Sequence, residues 1–97
     1  MDRFGILAML EAKPGKEQEV AEFLKSARPL VLQEVGTSTW FAFQTGPASF
    51  GIFDTFADED GRNAHLTGAV AKALFAKAED LFAGTPQISM ADLLAIK

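Results

Sequence analysis

Each predicted β-strand of this sequence carries apolar side chains in both of its alternating phases. In the strand predicted over residues 4–12, Ile6 and Leu10 alternate with Leu7 and Met9. An antiparallel sheet normally keeps one face polar and wet. The same double pattern recurs in the three other predicted strands, over 37–45, 49–56 and 87–95. Helices can cover one face only, so we expect the second face to be buried against another copy of the chain, in a homodimer.

The first helix is predicted over residues 17–31, where apolar side chains recur at helical spacing. Pro29 interrupts this pattern, because proline has no N–H and clashes with the preceding turn. We therefore expect the regular helix to kink or end near Arg28.

A second helical region is predicted after the third strand. Asp58 is suited to cap a short helix over 59–66, and a longer helix follows over 69–82. The resulting order, β-α-β-β-α-β, is that of an α+β ferredoxin-like fold. It predicts a four-stranded antiparallel sheet with the helices on one face, in one domain over residues 1–97.

The charge of the chain argues against several classes of partner. Nine Lys and Arg residues are scattered among thirteen Asp and Glu, and the net charge is −4. Without a basic patch, we expect neither nucleic acid nor a membrane surface as a partner. The absence of cysteine excludes disulfides and thiolate metal sites. No leader-like run opens the sequence, and a cytoplasmic location is the default expectation.

Several segments, taken in order and at their spacings, resemble the antibiotic biosynthesis monooxygenase (ABM) family of dimeric α+β barrel proteins. The resemblance covers almost the whole chain and rests on the segments at 13–16 (KPGK), 34–37 (EVGT), 50–56 (FGIFDTF), 58–62 (DEDGR) and 64–66 (AHL). It implies a sheet-to-sheet dimer with a pocket in each subunit between sheet and helices. The family includes oxygenases that act on quinols and similar aromatics without metal or flavin, haem-degrading enzymes and members of unknown role.

Two departures from the family pattern bear on these implications. Many members have a further histidine several residues after the position of His65, whereas residues 69–73 here contain none. A haem-binding function would therefore lack its natural ligand, and we expect no metal and no cofactor. Where numerous relatives carry Glu and Trp in the third strand, this chain has Asp54 and Phe56, which shortens the acid and removes an indole donor.

His65 and Asp54 are the candidate catalytic residues. His65 is the only side chain with an intrinsic pKa near neutrality, so it is the natural acid or base. The alternative is a histidine that only packs α-helix against strand or caps a carbonyl. Asp54 shares a strand phase with apolar residues and must have a partner. It could orient His65 or hold Arg62; alternatively it forms a structural ion pair or an interface hydrogen bond.

Five further residues are candidates for substrate binding. Trp40, Phe56 and Phe75 could wall a flat aromatic ligand, although each could equally be core or interface packing. Arg62 and Asn63 precede His65 and could bind a substrate oxygen, or could lie on a solvated helix face.

The family resemblance implies a cofactor-independent monooxygenase that acts on a small aromatic substrate of the quinol or polyketide type. Such chemistry needs little beyond a base and a dry pocket, because a phenol that loses its proton can itself reduce oxygen. The alternative is a dimeric protein that binds a small molecule without catalysis or is associated with stress.

Overall fold

A computed structural model describes residues 2–97, and in it the chain has the predicted ferredoxin-like order of elements. The strands form one antiparallel sheet in the order β2-β3-β1-β4. The α+β fold class predicted from the sequence is confirmed. In chain order the elements are β1 (Phe4–Glu11), α1 (Glu17–Val31), β2 (Thr39–Gln44), β3 (Ser49–Phe56), α2 (Glu59–Leu66), α3 (Ala69–Leu81) and β4 (Gln87–Asp92).

One face of the sheet is covered by the helices and holds the core. Ile6, Ala8 and Leu10 of β1 are buried on this face and lie opposite Asp54, Ile52 and Phe50 of β3. Each fully buried aliphatic or aromatic side chain contributes roughly 1.5–3 kcal/mol of transfer free energy. The helices supply the facing side of this core with Val20, Leu24, Leu74 and Leu81.

The other phase of the same strands is apolar but only half buried. Leu7, Met9 and Phe53 are partly exposed there, and Phe41 is 59% exposed. We call this surface the open face. It is defined by the apolar side chains that β1, β2 and β3 present there, namely Leu7, Met9, Phe41, Phe43 and Phe53. Phe43 lies across Gly51, and its ring occupies the space that a Cβ at Gly51 would need. The glycine thus lets an aromatic ring lie flat on the neighbouring strand.

The two edge strands are shorter than predicted. β4 ends at Asp92, opposite Phe4 where β1 begins, and only the N–H of Leu93 continues the pairing by donating to the Arg3 carbonyl at 2.9 Å. Leu93 therefore lies outside the strand. The expectation that β4 is apolar in both phases is wrong, because its open-face phase carries Gln87, Ser89 and Ala91.

Helix α1 has its predicted bounds, Glu17–Val31. Of the two effects expected of Pro29, an end of the helix near Arg28 is wrong, since the helix continues through Pro29. Proline removes one backbone hydrogen bond from the last turn. Val31 is buried, and the N–H of Leu32 still donates to the Arg28 carbonyl at 3.0 Å. Burial of the last turn therefore outweighs the local preference. Within residues 2–97, no helix combines the length and the apolarity needed to cross a bilayer.

Candidate functional site

A histidine held between two carboxylates lies under the helix-covered face. Nε2 of His65 is 3.0 Å from Oδ2 of Asp54, and Nδ1 is 2.5 Å from Oε1 of Glu34. The side chains of His65, Asp54 and Glu34 are 9%, 1% and 18% exposed, respectively. We call Glu34, His65 and Asp54 the carboxylate–histidine triad. Of the two partners predicted for Asp54, the structure places His65 beside it.

Strand register and a helix cap position the two predicted members of the triad. Asp54 occupies the helix-facing phase of β3, between Ile6 of β1 and Trp40 of β2. Asp58 begins α2 as predicted, and its Oδ1 accepts a hydrogen bond from the Gly61 N–H at 2.7 Å. Two turns of helix from this cap carry His65 over the sheet, directly above Asp54.

Glu34 is the member of the triad that sequence reasoning missed as a site residue. Glu34 lies in the loop that follows α1. In this loop the backbone of Gly36 contacts the backbone of Gly61 so closely that a Cβ on Gly36 would lie 2.7 Å from the Cα of Gly61. This approach brings the loop against α2 and delivers Glu34 to His65. Thr37 fixes the carboxylate by donating from Oγ1 to Oε1 at 2.8 Å.

The surroundings of His65 favour its protonated form. Burial alone disfavours the imidazolium and lowers the pKa, but the hydrogen bonds and charges of Asp54 and Glu34 outweigh burial and raise the pKa of His65 above 6.5. An imidazolium donates from both ring nitrogens, which matches an acceptor on each side. In this state His65 is an orienting donor to both carboxylates and has no free lone pair for a base.

An apolar cavity of about 170 Å³ lies between the sheet and helices α2 and α3. Asp54 and His65 are the only polar side chains in its wall. The Oδ1 atom of Asp54 is buried and has no hydrogen-bond partner within residues 2–97. An unpaired buried carboxylate oxygen is costly, so the site is suited to a ligand that donates a hydrogen bond. The apolar wall consists of Ile6, Ala8, Ile52, Leu66, Val70, Ala71, Leu74, Phe75 and Ile88.

The three predicted aromatic residues lie in three different surroundings. Phe75 lines the cavity beside Asp54 and His65. Phe56 is fully buried, with its ring centroid 5.4 Å from that of His65, so it supports the imidazole from outside the cavity wall. Trp40 lines a separate groove between α1 and β2.

The two predicted polar ligands lie outside the cavity. The guanidinium of Arg62 sits 5.0 Å from the ring centroid of Phe4, and Nη1 donates to the Ala91 carbonyl at 3.4 Å. Asn63 is exposed on α2. Asn63 lies two residues before His65 and so points to a different side of α2, whereas Arg62, three residues before it, shares the side of His65 but reaches to Phe4 and Ala91. Among residues 2–97, no three His, Asp or Glu side chains are grouped so as to hold a metal ion.

Comparisons with known proteins identify relatives through solved structures. No protein-family model and no curated protein matches the chain. A protein of unknown function from Nitrosomonas europaea is 50% identical over 100% of this chain and 94% of its own, with a TM-score of 0.97.

Two more distant neighbours carry a proposed function. A proposed antibiotic biosynthesis monooxygenase from Nitrosomonas europaea is 15% identical, with 95% of this chain and 99% of that chain covered and a TM-score of 0.84. Another, from Caulobacter crescentus, is 22% identical, with 97% and 92% covered and a TM-score of 0.80. The predicted resemblance to the ABM fold is confirmed.

Proposed function

We propose that this chain, which belongs to the same family as the Nitrosomonas europaea protein of unknown function, is a cofactor-independent monooxygenase. Its substrate in this proposal is a small hydroxylated aromatic molecule. The observation that carries the proposal is the unpaired, buried Oδ1 of Asp54 at the wall of an apolar cavity. The shared fold of proposed monooxygenases supports the reaction type. Fold alone does not determine function, so the site carries the argument.

The volume of the cavity favours a ligand with one aromatic ring. An apolar protein cavity of about 150 Å³ accommodates benzene, whereas pockets for drug-sized ligands measure about 300–1,000 Å³. At about 170 Å³ the cavity beside the triad is in the range of a single ring. We therefore favour a simple quinol over a polycyclic polyketide as the substrate class.

Asp54 is the catalytic residue of this proposal, and His65 positions it. A quinol hydroxyl in the cavity would donate to Oδ1, while Oδ2 is held 3.0 Å from Nε2 of His65. The raised pKa of His65 favours its protonated form, in which Nε2–H donates to Oδ2 and fixes the carboxylate. Glu34 in turn fixes the imidazole from its other side. The triad thereby aims one carboxylate oxygen at the ligand.

The proposed reaction balances without a cofactor. Transfer of the phenolic proton toward Asp54 leaves an electron-rich anion that can reduce O2 within the dry cavity. One oxygen atom forms a bond to a ring carbon, whose C–H bond breaks, and cleavage of the O–O bond lets the other oxygen leave as water. The quinol supplies all four electrons, two through the new C–O bond and two through its oxidation to the quinone, so that quinol and O2 give a hydroxyquinone and water.

The proposal includes a homodimer that pairs the open faces of two copies. Leu7, Met9, Phe41, Phe43 and Phe53 form an apolar surface of the kind that single soluble chains rarely expose. A second copy offers the same surface, so a two-fold contact is self-complementary. The cavity lies on the opposite side of the sheet, which leaves one complete triad in each subunit.

The test is oxygen uptake with a panel of quinols that range from one ring to three. We expect single-ring quinols to be consumed with one O2 each, and Asp54→Asn to slow turnover by about 100-fold or more, as for loss of a catalytic base. The matched control is Asp92→Asn, at the exposed end of β4, with activity unchanged. Equal activity in the two variants would remove Asp54 from the reaction.

A binding protein without catalysis is the second candidate. It is favoured by the two hydrogen bonds of His65, which leave no ring nitrogen free to shuttle a proton onward. The two candidates differ in one measurement. If a quinol analogue such as resorcinol binds to the protein but not to Asp54→Asn, and no quinol consumes oxygen, the binding function stands and the monooxygenase is rejected.

A further inference from the structure

A second concave site lies on the helix-covered side, between α1 and β2. It measures about 340 Å³ and shares no lining residue with the cavity beside the triad. We call it the Trp40 groove. It is lined by Ala21, Leu24, Lys25, Arg28, Trp40, Ala42, Phe43, Gln44 and Phe50. The walls are mainly apolar, and the rings of Trp40 and Phe50 stand on the β2 and β3 side.

The charged side chains of this groove are all cationic. Lys25 and Arg28 lie one turn apart on α1, and none of the thirteen acidic residues of the chain lines the groove. Lys25 has a partner, since its Nζ is 3.6 Å from Oε1 of Glu22. Arg28 forms no ion pair within residues 2–97. A positive rim in a chain of net charge −4 marks a local preference for an anion.

Trp40 supplies a hydrogen-bond donor that is left unused. Its Nε1 atom is buried and has no acceptor within residues 2–97. Indole N–H groups normally find a partner when buried, and leaving one unpaired costs about 1–3 kcal/mol. A ligand in the groove could supply the acceptor.

We propose that the Trp40 groove binds a small amphipathic carboxylate, whose carboxylate meets Arg28 and accepts from Nε1 of Trp40 while its apolar body lies along the apolar walls. The guanidinium of arginine matches a carboxylate with two parallel hydrogen bonds. The apolar walls take the hydrocarbon part, since burial of each methylene contributes about 0.8 kcal/mol. This site is independent of the proposed oxygenation, and its occupancy does not require Asp54.

The chain contains a built-in reporter for this test, because Trp40 is its only tryptophan and it has no tyrosine. Octanoate is the probe, and 1-octanol is the neutral counterpart of equal length. We expect octanoate to shift the Trp40 emission saturably and to move the single indole N–H signal in a nitrogen–proton NMR spectrum. Octanol should bind at least about tenfold more weakly, since it lacks the charge that Arg28 recognises.

Matched variants assign the effect to the groove. Arg28→Gln should weaken octanoate about tenfold and leave octanol unchanged, whereas Arg3→Gln, on an exposed residue before β1, should leave both unchanged. Asp54→Asn should not alter octanoate binding, which separates this site from the proposed reaction.

Three results would overturn the proposal. The first is no response of Trp40 to octanoate, and the second is equal affinity for octanoate and octanol in the wild type. The third is an emission change on dilution without any probe, which would show that a second copy of the chain covers the groove.

Discussion

The two faces of this sheet have similar apolar content but differ in how far their side chains are buried. On the helix-covered face, residues such as Leu10 and Phe50 are buried by α1 and α3, and the row of apolar side chains is interrupted by Asp54. On the open face, Met9 and Phe53 stay partly exposed, and Phe41 is 59% exposed. A strand alternates strictly, so each face is set by every second residue.

The difference shows where this chain tolerates a polar group. A buried carboxylate is stable only with partners, and the helices bring these partners to the covered face as His65 and, behind it, Glu34. Within residues 2–97, no element packs on the open face to deliver such partners, and this face is apolar at its centre. The covered face is thus suited to chemistry, and the open face to association.

Loss of His65 from the covered face should cause the largest change of all, a loss in the free energy of unfolding. His65→Ala removes the partner of Asp54 and leaves a charged carboxylate buried. Breaking a buried ion pair on one side destabilises by about 3–5 kcal/mol. We expect a loss of that size in the free energy of unfolding, measured by urea denaturation. The control is Asn63→Ala, exposed on the same helix, within about 0.5 kcal/mol of wild type. A similar small loss for His65→Ala would contradict a paired, charged triad.

The second prediction concerns the association of two copies through the open face. Phe41→Glu places a charge on the most exposed of the side chains that define the open face, and an aromatic anchor buried in an interface contributes about 2 kcal/mol or more. The dimer dissociation constant should rise at least about 30-fold, as measured by sedimentation, while the fold is retained. Leu32→Glu, an exposed apolar residue at the end of α1, is the control and should leave association unchanged. A wild-type protein that sediments as a monomer at micromolar concentration would reject the dimer.

The third and smaller effect is a pH dependence of the free energy of unfolding, which arises from His65 on the covered face. The folded protein raises the pKa of His65 above the 6.5 of an unperturbed histidine, so its stabilising contribution is complete below about pH 6.5. That contribution is lost as pH rises through the raised pKa, with a slope of at most about 1.4 kcal/mol per pH unit. Urea denaturation above pH 6.5 should show this decline in wild type but not in His65→Gln. His65 is the only histidine, so the comparison isolates it.

Glu34→Gln provides a finer version of the same measurement. Loss of one carboxylate charge beside Nδ1 should lower the pKa of His65 relative to wild type, so stability should decline from a lower pH. Proton NMR of the single imidazole would follow the titration directly. An unchanged pKa would show that Glu34 does not share the proton of His65.

Local pattern was sufficient for most elements of the fold. Helix α2 begins at its predicted cap, Asp58, and β3 has its predicted bounds, because capping and alternation act between near neighbours. The pairing of Asp54 with His65 was among the predicted alternatives. The expected end of α1 at Pro29 is wrong because burial of Val31 keeps the last turn helical. Strand β4 stops before Leu93 because its partner β1 begins at Phe4, opposite Asp92, and offers no further residue.

Alternation and capping along the chain were enough to predict apolar residues in both phases of β1, β2 and β3, and a lone histidine after a capped helix start. That Glu34 is the second partner of His65 became evident from the tertiary structure alone. This acid is 31 residues away in the chain, and its position depends on the backbone contact of Gly36 with Gly61. The physical reason is that spacing along the chain governs contacts within one element, whereas contacts between elements depend on how closely backbones can approach.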